Sequence, residues 1–150
     1  DTDRSRGLGD VYKRQVYKYP EGTLVDLNEA DTTELKKIPG IGSGIARMIV
    51  AYRKRLGGFY DMAQLKEVNY VDEDMLRWFK LGNAPIHRIN ANKAGLDKLR
   101  SHPYMNFYQA KVIIEYRRKK GKLKSLSQLS LYEEFTEKDL ERLSHYLAFD

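Results

Sequence analysis

The fold is decided by one stretch of the chain, Leu35-Lys36-Lys37-Ile38-Pro39-Gly40-Ile41-Gly42-Ser43-Gly44-Ile45-Ala46-Arg47-Met48-Ile49. Its pattern predicts the end of one helix, a short turn and the start of a second helix. Pro39 disfavours helical backbone at Ile38, so the first helix is expected to close there. The three glycines tolerate positive φ and leave the backbone accessible, and Ser43 is expected to cap the second helix.

A turn of this kind predicts an anion site. The first N–H groups of a helix have no partner inside the helix and lie at the positive end of its dipole, where phosphate is commonly bound. We expect amides of the turn to hold the anion, nearby cations to add charge, and two isoleucines to anchor the turn on the core. The predicted contact residues are Lys36, Lys37, Gly40, Ile41, Gly42, Ser43, Gly44 and Arg47.

The stretch resembles the helix-hairpin-helix DNA-binding motif, with its Pro-Gly-Ile-Gly turn and the alanine that follows. Residues 25–65 resemble the ComEA family, the DNA receptors of competence systems. The matching segments are Leu27-Asn28-Glu29-Ala30-Asp31, Ile49-Val50-Ala51-Tyr52-Arg53 and Gly57-Gly58-Phe59. The resemblance implies binding of double-stranded DNA from the minor-groove side, and an extracytoplasmic or membrane-anchored location.

The chain consists of two tandem copies of one unit. Shifted by 64 positions, it aligns with itself without a gap, so that Asn28 falls on Asn92, Pro39 on Pro103 and Arg53 on Arg117. Such self-similarity is typical of a repeat architecture. We therefore predict an all-α fold of two tandem helix-hairpin-helix units, residues 23–84 (the first repeat) and 85–150 (the second repeat).

Each repeat is predicted to contain four short helices. Helical spacing of apolar residues, capping boxes and glycine stops place those of the first repeat at about 31–38, 43–56, 61–68 and 72–79. The second repeat is expected to have helices at about 94–101 and 107–120, one opening at 125 and one over 136–147. Residues 81–85 are the candidate linker, and no strand is expected.

The hairpins of the two repeats are not equivalent. The second reads Pro103-Tyr104-Met105-Asn106-Phe107-Tyr108 and has no glycine, so we expect it to have lost backbone contact with phosphate. Its aromatic residues are expected in the core, and the alternative is a stacking or protein-contact surface. The turn at residues 68–72 also lacks glycine and is interpreted as a packing element.

Charge is distributed unevenly between the repeats. The chain carries a net charge of +6, with nine basic and nine acidic residues in the first repeat and thirteen and eight in the second. The cations near the ends of the two long helices either extend a phosphate track or form solvated helix termini. This secondary basic patch comprises Arg53, Lys54, Arg55, Arg117, Arg118, Lys119, Lys120 and Lys122.

Composition excludes several kinds of site. The chain has no cysteine, which rules out disulfides and thiolate metal ligands, and no apolar run is long enough to span a membrane. His87, His102 and His145 lack ligand spacing and are interpreted as structural or surface residues. We predict no metal, no cofactor, no catalytic residue and no small-molecule substrate.

The first residues are expected to be foreign to the native protein. Residues 5–15 resemble the in-frame translation of a sequencing-library adapter, and residues 1–22 are predicted to be an adapter-derived or disordered tail. The native chain is therefore expected to be longer. Further upstream repeats or oligomerisation would then supply avidity.

The leading functional hypothesis is a non-enzymatic, sequence-independent binder of double-stranded DNA, with a ComEA-like role in competence or DNA uptake. The alternative is a helical scaffold or protein-interaction module with residual or no DNA binding. A third hypothesis is a targeting fragment of a DNA repair enzyme or nuclease.

Overall fold

The computed structural model describes residues 17–150. The adapter-like residues 5–15 lie outside the described part of the chain. Residues 17–22, included in the predicted tail, lie against the end of the first helix. There Lys18 Nζ donates to the Lys36 carbonyl at 2.6 Å, and Tyr19 N–H donates to the Lys37 carbonyl at 2.8 Å.

The observed helices follow the predicted order. In the first repeat they are α1 (Thr32–Leu35), α2 (Ser43–Leu56) and 3₁₀ helices at Met62–Glu67 and Glu73–Trp78. In the second repeat they are α3 (Leu96–Arg100), α4 (Phe107–Lys120), a 3₁₀ helix at Leu126–Leu129, and α5 (Glu137–Leu143). The all-α prediction is confirmed, and the two long helices have the predicted bounds.

Residues 17–150 contain four two-residue strands, so the expectation of no strand is wrong. β1 (Val25–Asp26) pairs in parallel with β2 (Phe79–Lys80), and β3 (Ile89–Asn90) pairs in parallel with β4 (Leu147–Ala148). Each pair joins the beginning of a repeat to its end. Two residues are too few to show the alternation by which a strand is recognised in a sequence.

The described chain divides into two compact units that differ from the repeats at one place. One unit holds residues 17–50 and 62–82, and the other holds residues 51–61 and 83–150. Within the second unit, His87 N–H donates to the Gly57 carbonyl at 2.8 Å, and the Tyr146 hydroxyl donates to the Gly58 carbonyl at 2.6 Å. These bonds explain why residues 51–61 group with the second repeat.

Each unit has its own apolar core. In the first unit the fully buried side chains belong to the helices and to the hairpin turn, and include Leu27, Leu35, Ile38, Ile41, Ile49 and Leu65. In the second unit they include Leu99, Ile113, Leu123, Leu129, Leu143 and Tyr146. The same face of each long helix supplies a core isoleucine, Ile49 in α2 and Ile113 in α4.

Helix caps agree with the sequence at most positions. Asp31 caps α1 by accepting from Glu34 N–H at 2.8 Å, and Thr136 forms a capping box with Asp139 at α5. Ser43 is an exception, because it is the first residue of α2 and not its cap. Ala46 N–H donates to the Gly42 carbonyl at 3.0 Å, which places Gly42 at the cap position.

Candidate nucleic-acid interface

The first hairpin is a rigid turn between α1 and α2. Ile41 N–H donates to the Ile38 carbonyl at 3.0 Å, and both isoleucine side chains are buried. Gly40 has a φ of +89°, a left-handed conformation that side chains disfavour. The predicted turn and its two apolar anchors are therefore present, with glycine at the position that requires it.

Backbone donors of this turn are unused. Among residues 17–150, four of its amide N–H groups donate no hydrogen bond, those of Gly40, Gly42, Ser43 and Gly44. All four residues are exposed. A Cβ atom added at Gly42 or Gly44 would meet nothing within 4 Å, so the space beside these amides is open. The donors lie at the N-terminus of a fourteen-residue helix, where the dipole favours an anion.

The predicted cations surround the turn with different accessibilities. Arg47 is exposed, whereas Lys36 and Lys37 are half-buried. Lys18 adds a further cation that the sequence analysis missed, since its ammonium lies 2.6 Å from the Lys36 carbonyl oxygen and 3.5 Å from that of Ile41. Lys18 was not predicted as a contact residue because it was assigned to the tail. No local pattern in the sequence indicates its contacts.

Ile41 differs from its prediction as a contact residue. Its amide is used inside the turn and its side chain is buried, so it has neither a donor nor a surface to offer a ligand. Ile41 positions the amides that follow it.

The second hairpin has the same closing hydrogen bond but uses two of its four corresponding amides internally. Met105 N–H donates to the His102 carbonyl at 3.0 Å, as Ile41 does in the first hairpin. Tyr104 N–H donates to the His102 ring nitrogen Nδ1 at 3.0 Å, and Asn106 N–H donates to Gln109 Oε1 at 2.9 Å. Two amides that correspond to donors of the first hairpin are therefore already satisfied by side chains.

His102 is held as a neutral ring. Because Nδ1 accepts from Tyr104, the proton lies on Nε2, which donates to the Leu56 carbonyl at 2.8 Å. Burial lowers the pKa of His102 to about 4, with the nearby charges of Arg142 and Arg55 acting in the same direction and the bond to Leu56 opposing them. His102 thus has a structural role.

The aromatic residues of the second hairpin separate into two classes. Tyr104 is buried, with the Arg142 guanidinium carbon 3.5 Å from its ring centroid. Phe107 and Tyr108 are 40% and 68% exposed, so the prediction that they lie in the core is wrong for both. They occupy the first turn of α4 on its solvent side, a placement that aromatic content alone does not reveal.

The secondary basic patch contains side chains with different tasks. Arg117 Nη1 donates to the Ala91 and Ala94 carbonyls and holds the segment before α3, so this part of its guanidinium is used within the fold. Arg118 Nη2 lies 2.8 Å from Glu115 Oε2, and Lys119 Nζ lies 3.6 Å from the same oxygen. Lys54, Arg55, Lys120 and Lys122 are exposed, whereas Arg53 is half-buried and has a bonded partner.

The turn at residues 68–72 has hairpin geometry beside three carboxylates, two of which lie within ion-pair distance of Lys66 and Arg77. Val71 N–H donates to the Val68 carbonyl at 3.2 Å, and Tyr70 takes a φ of +71° at the bend. Asp72 caps the following helix, with Glu73 and Asp74 exposed beside it. These carboxylates would repel a phosphate, which supports interpreting the turn as a packing element.

Two other kinds of site are absent from the described part of the chain. No helix within residues 17–150 combines the length and apolar character that a bilayer span requires. Within the same residues, no three histidine, aspartate, glutamate or cysteine side chains are grouped so as to hold a metal ion.

Comparisons with known proteins agree with this geometry. The family described as the helix-hairpin-helix motif matches residues 21–78 and 85–148. The chain is 27% identical over 154 residues to "Endonuclease/exonuclease/phosphatase family domain-containing protein 1" of Mus musculus, with 81% of this chain and 27% of the relative covered. The protein of the same name from Danio rerio is 28% identical over 127 residues, covering 70% of this chain and 23% of the relative.

The chain thus spans about a quarter of the length of the curated relatives it matches. No solved structure matches it. Helix-hairpin-helix motifs imply DNA as the partner. The family match covers both repeats and includes the hairpin with the unused amides. The chain therefore belongs to the helix-hairpin-helix family and carries two tandem copies of its motif.

Proposed function

We propose that this chain binds double-stranded DNA without reading its sequence, through the amides of the first hairpin on phosphate oxygens. One observation carries the proposal, the set of four exposed and unused N–H groups at the start of α2. Contacts to phosphate position a protein on DNA and contain no information about the bases.

The electrostatics of the hairpin support the same ligand. Gly42 and Gly44 let the phosphate approach the backbone, and the helix dipole adds a partial positive charge at that point. Lys36, Lys37 and Arg47 supply full charges around it, and Lys18 adds another. A single hairpin with a few phosphate contacts is expected to bind with a dissociation constant of about 10⁻⁴–10⁻⁶ M at physiological salt.

We propose further that the binding serves a larger protein. The curated relatives are named for an endonuclease/exonuclease/phosphatase domain, and this chain matches only about a quarter of their length. A weak, sequence-independent module of this kind would hold an attached domain near DNA and raise its effective concentration there. This observation favours the targeting hypothesis, and the ComEA-like role in DNA uptake stays a prediction.

The test is fluorescence anisotropy with a labelled random-sequence duplex over a series of salt concentrations. We expect binding that weakens as salt rises and that is lost in Gly42→Glu, because the carboxylate enters the phosphate position. Gly42 has no neighbour within 4 Å of an added Cβ, so the variant is expected to fold.

Gly95→Glu is the matched control. Gly95 also caps a helix and also has open space around it, but it belongs to the second repeat and lies outside the hairpins. Duplex binding should survive in this variant. If the wild-type chain shows no binding at tens of micromolar, or if both variants lose it equally, the hairpin is not the DNA site and the scaffold role takes its place.

A further inference from the structure

A groove runs along the solvent face of α4. Its volume is about 370 Å³, and its principal lining residues are Tyr108, Lys111, Tyr116, Lys119, Lys120 and Tyr132. All of them belong to the second unit, and five lie on one face of the helix. Glu115 and Glu134 also line the groove.

The three cations of this groove are exposed, and of its three rings Tyr108 is exposed whereas Tyr116 and Tyr132 are half-buried. Tyr108 is 68% exposed and contacts the edge of the Phe107 ring. Within residues 17–150, Lys111 forms no ion pair and is exposed. At the other end, Lys120 Nζ lies 5.6 Å from the Tyr116 ring centroid, and the Tyr132 ring packs edge-on at 6.4 Å from Tyr116.

The groove is a property of the second repeat. Shifted by 64 positions, Tyr108 corresponds to Gly44 and Tyr132 corresponds to Val68. Tyr116 corresponds to Tyr52, so two of the three rings have no aromatic counterpart in the first repeat. The helical framework of the repeat therefore does not require these rings.

We propose that this groove binds a short stretch of single-stranded nucleic acid, with bases stacked on the tyrosines and phosphates on the lysines. Aromatic side chains offer every base a flat surface, and lysines beside them neutralise the backbone. Along α4 the sequence alternates ring, cation, ring and cation, as Tyr108, Lys111, Tyr116 and Lys119 with Lys120. This order matches a strand in which each phosphate is followed by a planar base.

Charge complementarity favours a nucleotide strand over an acidic peptide. The lysines would attract either ligand, but a peptide of glutamates gives Tyr108 nothing to stack on. Glu115 is already paired with Arg118 and Lys119, so the remaining charges of the groove are those of Lys111, Lys120 and Glu134, a net charge of +1. This site is separate from the duplex site proposed for the first hairpin.

The experiment titrates the ¹⁵N-labelled chain with the single strand dT₁₀ and follows its amide resonances, with anisotropy as a second readout. We expect shifts concentrated at residues 108–120 and 131–134. Tyr108→Ala should weaken dT₁₀ binding by about tenfold, whereas Tyr108→Phe, which keeps the ring, should bind like the wild type. Lys111→Ala should reduce the slope of log affinity against log salt by about 0.7.

The two proposals fail independently in this design. Gly42→Glu should leave dT₁₀ binding intact, and Tyr108→Ala should leave duplex binding intact. The groove proposal is overturned if dT₁₀ shifts none of these amides, if Tyr108→Ala binds dT₁₀ as well as the wild type does, or if an oligo-glutamate peptide shifts the same amides at the same concentration.

Discussion

The first and second hairpins have the same proline, the same length and the same closing hydrogen bond, yet they differ in what happens to their amides. In the first hairpin, the side chains of Ile38 and Ile45 have no hydrogen-bond acceptor, and the N–H groups of Gly40 and Gly42 stay unused. In the second, the corresponding residues are His102 and Gln109, which accept from Tyr104 and Asn106.

The difference teaches that glycine content is only part of the requirement for a phosphate site. A hairpin can keep its backbone path and still be closed to a ligand, because a neighbouring side chain satisfies the donors first. Each such internal bond stabilises the fold by about 1 kcal/mol, whereas an unused exposed donor is hydrated until a ligand replaces the water. The same turn thus occurs in an open form with four unused donors and in a closed form in which two of the four are bonded.

The largest expected effect is that of His102→Ile. This substitution gives the second hairpin the residue that the first hairpin has at the corresponding position, with a similar volume. It leaves the Leu56 carbonyl and the Tyr104 amide without their buried partner, so we expect a loss of about 3 kcal/mol in the free energy of unfolding. Urea unfolding monitored by circular dichroism measures the effect. Ile38→Val, a small change in the open hairpin, should cost about 1 kcal/mol or less and serves as the control; equal losses would mean that His102 acts only by filling space.

Lower pH should destabilise the closed hairpin and leave the open one unaffected. The pKa of His102 is about 4 in the folded chain and 6.5 as its ordinary value, so the unfolded chain binds the proton more readily. Its contribution is complete above about pH 6.5 and falls by about 1.4 kcal/mol per pH unit until about pH 4, a total of roughly 3 kcal/mol.

Urea unfolding at several pH values tests this sign. The free energy of unfolding should depend less steeply on pH in His102→Gln, which has no titrating ring. An NMR titration of the His102 ring that gives a pKa near 6.5 in the folded chain would contradict the explanation.

The smallest expected effect is that of a substitution at Gly44, in the open hairpin. Gly44 lies in the first turn of α2 with open space around it, so Gly44→Ala should raise the free energy of unfolding by about 0.5–1 kcal/mol. The added methyl group should nevertheless weaken duplex binding severalfold, because it stands beside the phosphate position. Unfolding and anisotropy on the same variant separate the two effects, and a less stable variant would indicate that Gly44 serves packing.

Much of the architecture was predictable because its signals are local. Pro39, the glycine turn and the capping residues lie within a few positions of the helix ends that they define, and α2 and α4 accordingly have the predicted bounds. The hairpin turn and its isoleucine anchors were predicted for the same reason. The two-residue strands were not, because a pair of residues has no period.

The parts of the site that escaped prediction involve partners far along the chain. Lys18 reaches carbonyls 18 and 23 positions away, and Arg117 is bonded to carbonyls 26 and 23 positions away. The sequence does not show whether the charged group of a basic residue is exposed or is bonded within the fold. For that reason the predicted basic patch included Arg117. Lys18 was missed because it was assigned to the predicted tail, which was left out of the site.

The sequence by itself determined that this chain is a duplicated helix-hairpin-helix protein with one glycine turn intact, because caps, periodicity and repeat register are encoded between near neighbours. Only the tertiary structure decided which amides are open to a ligand, that His102 and Gln109 close the second hairpin, and that Phe107 and Tyr108 face solvent. Those outcomes depend on burial and on hydrogen-bond partners brought together by folding, and no short stretch of sequence contains them.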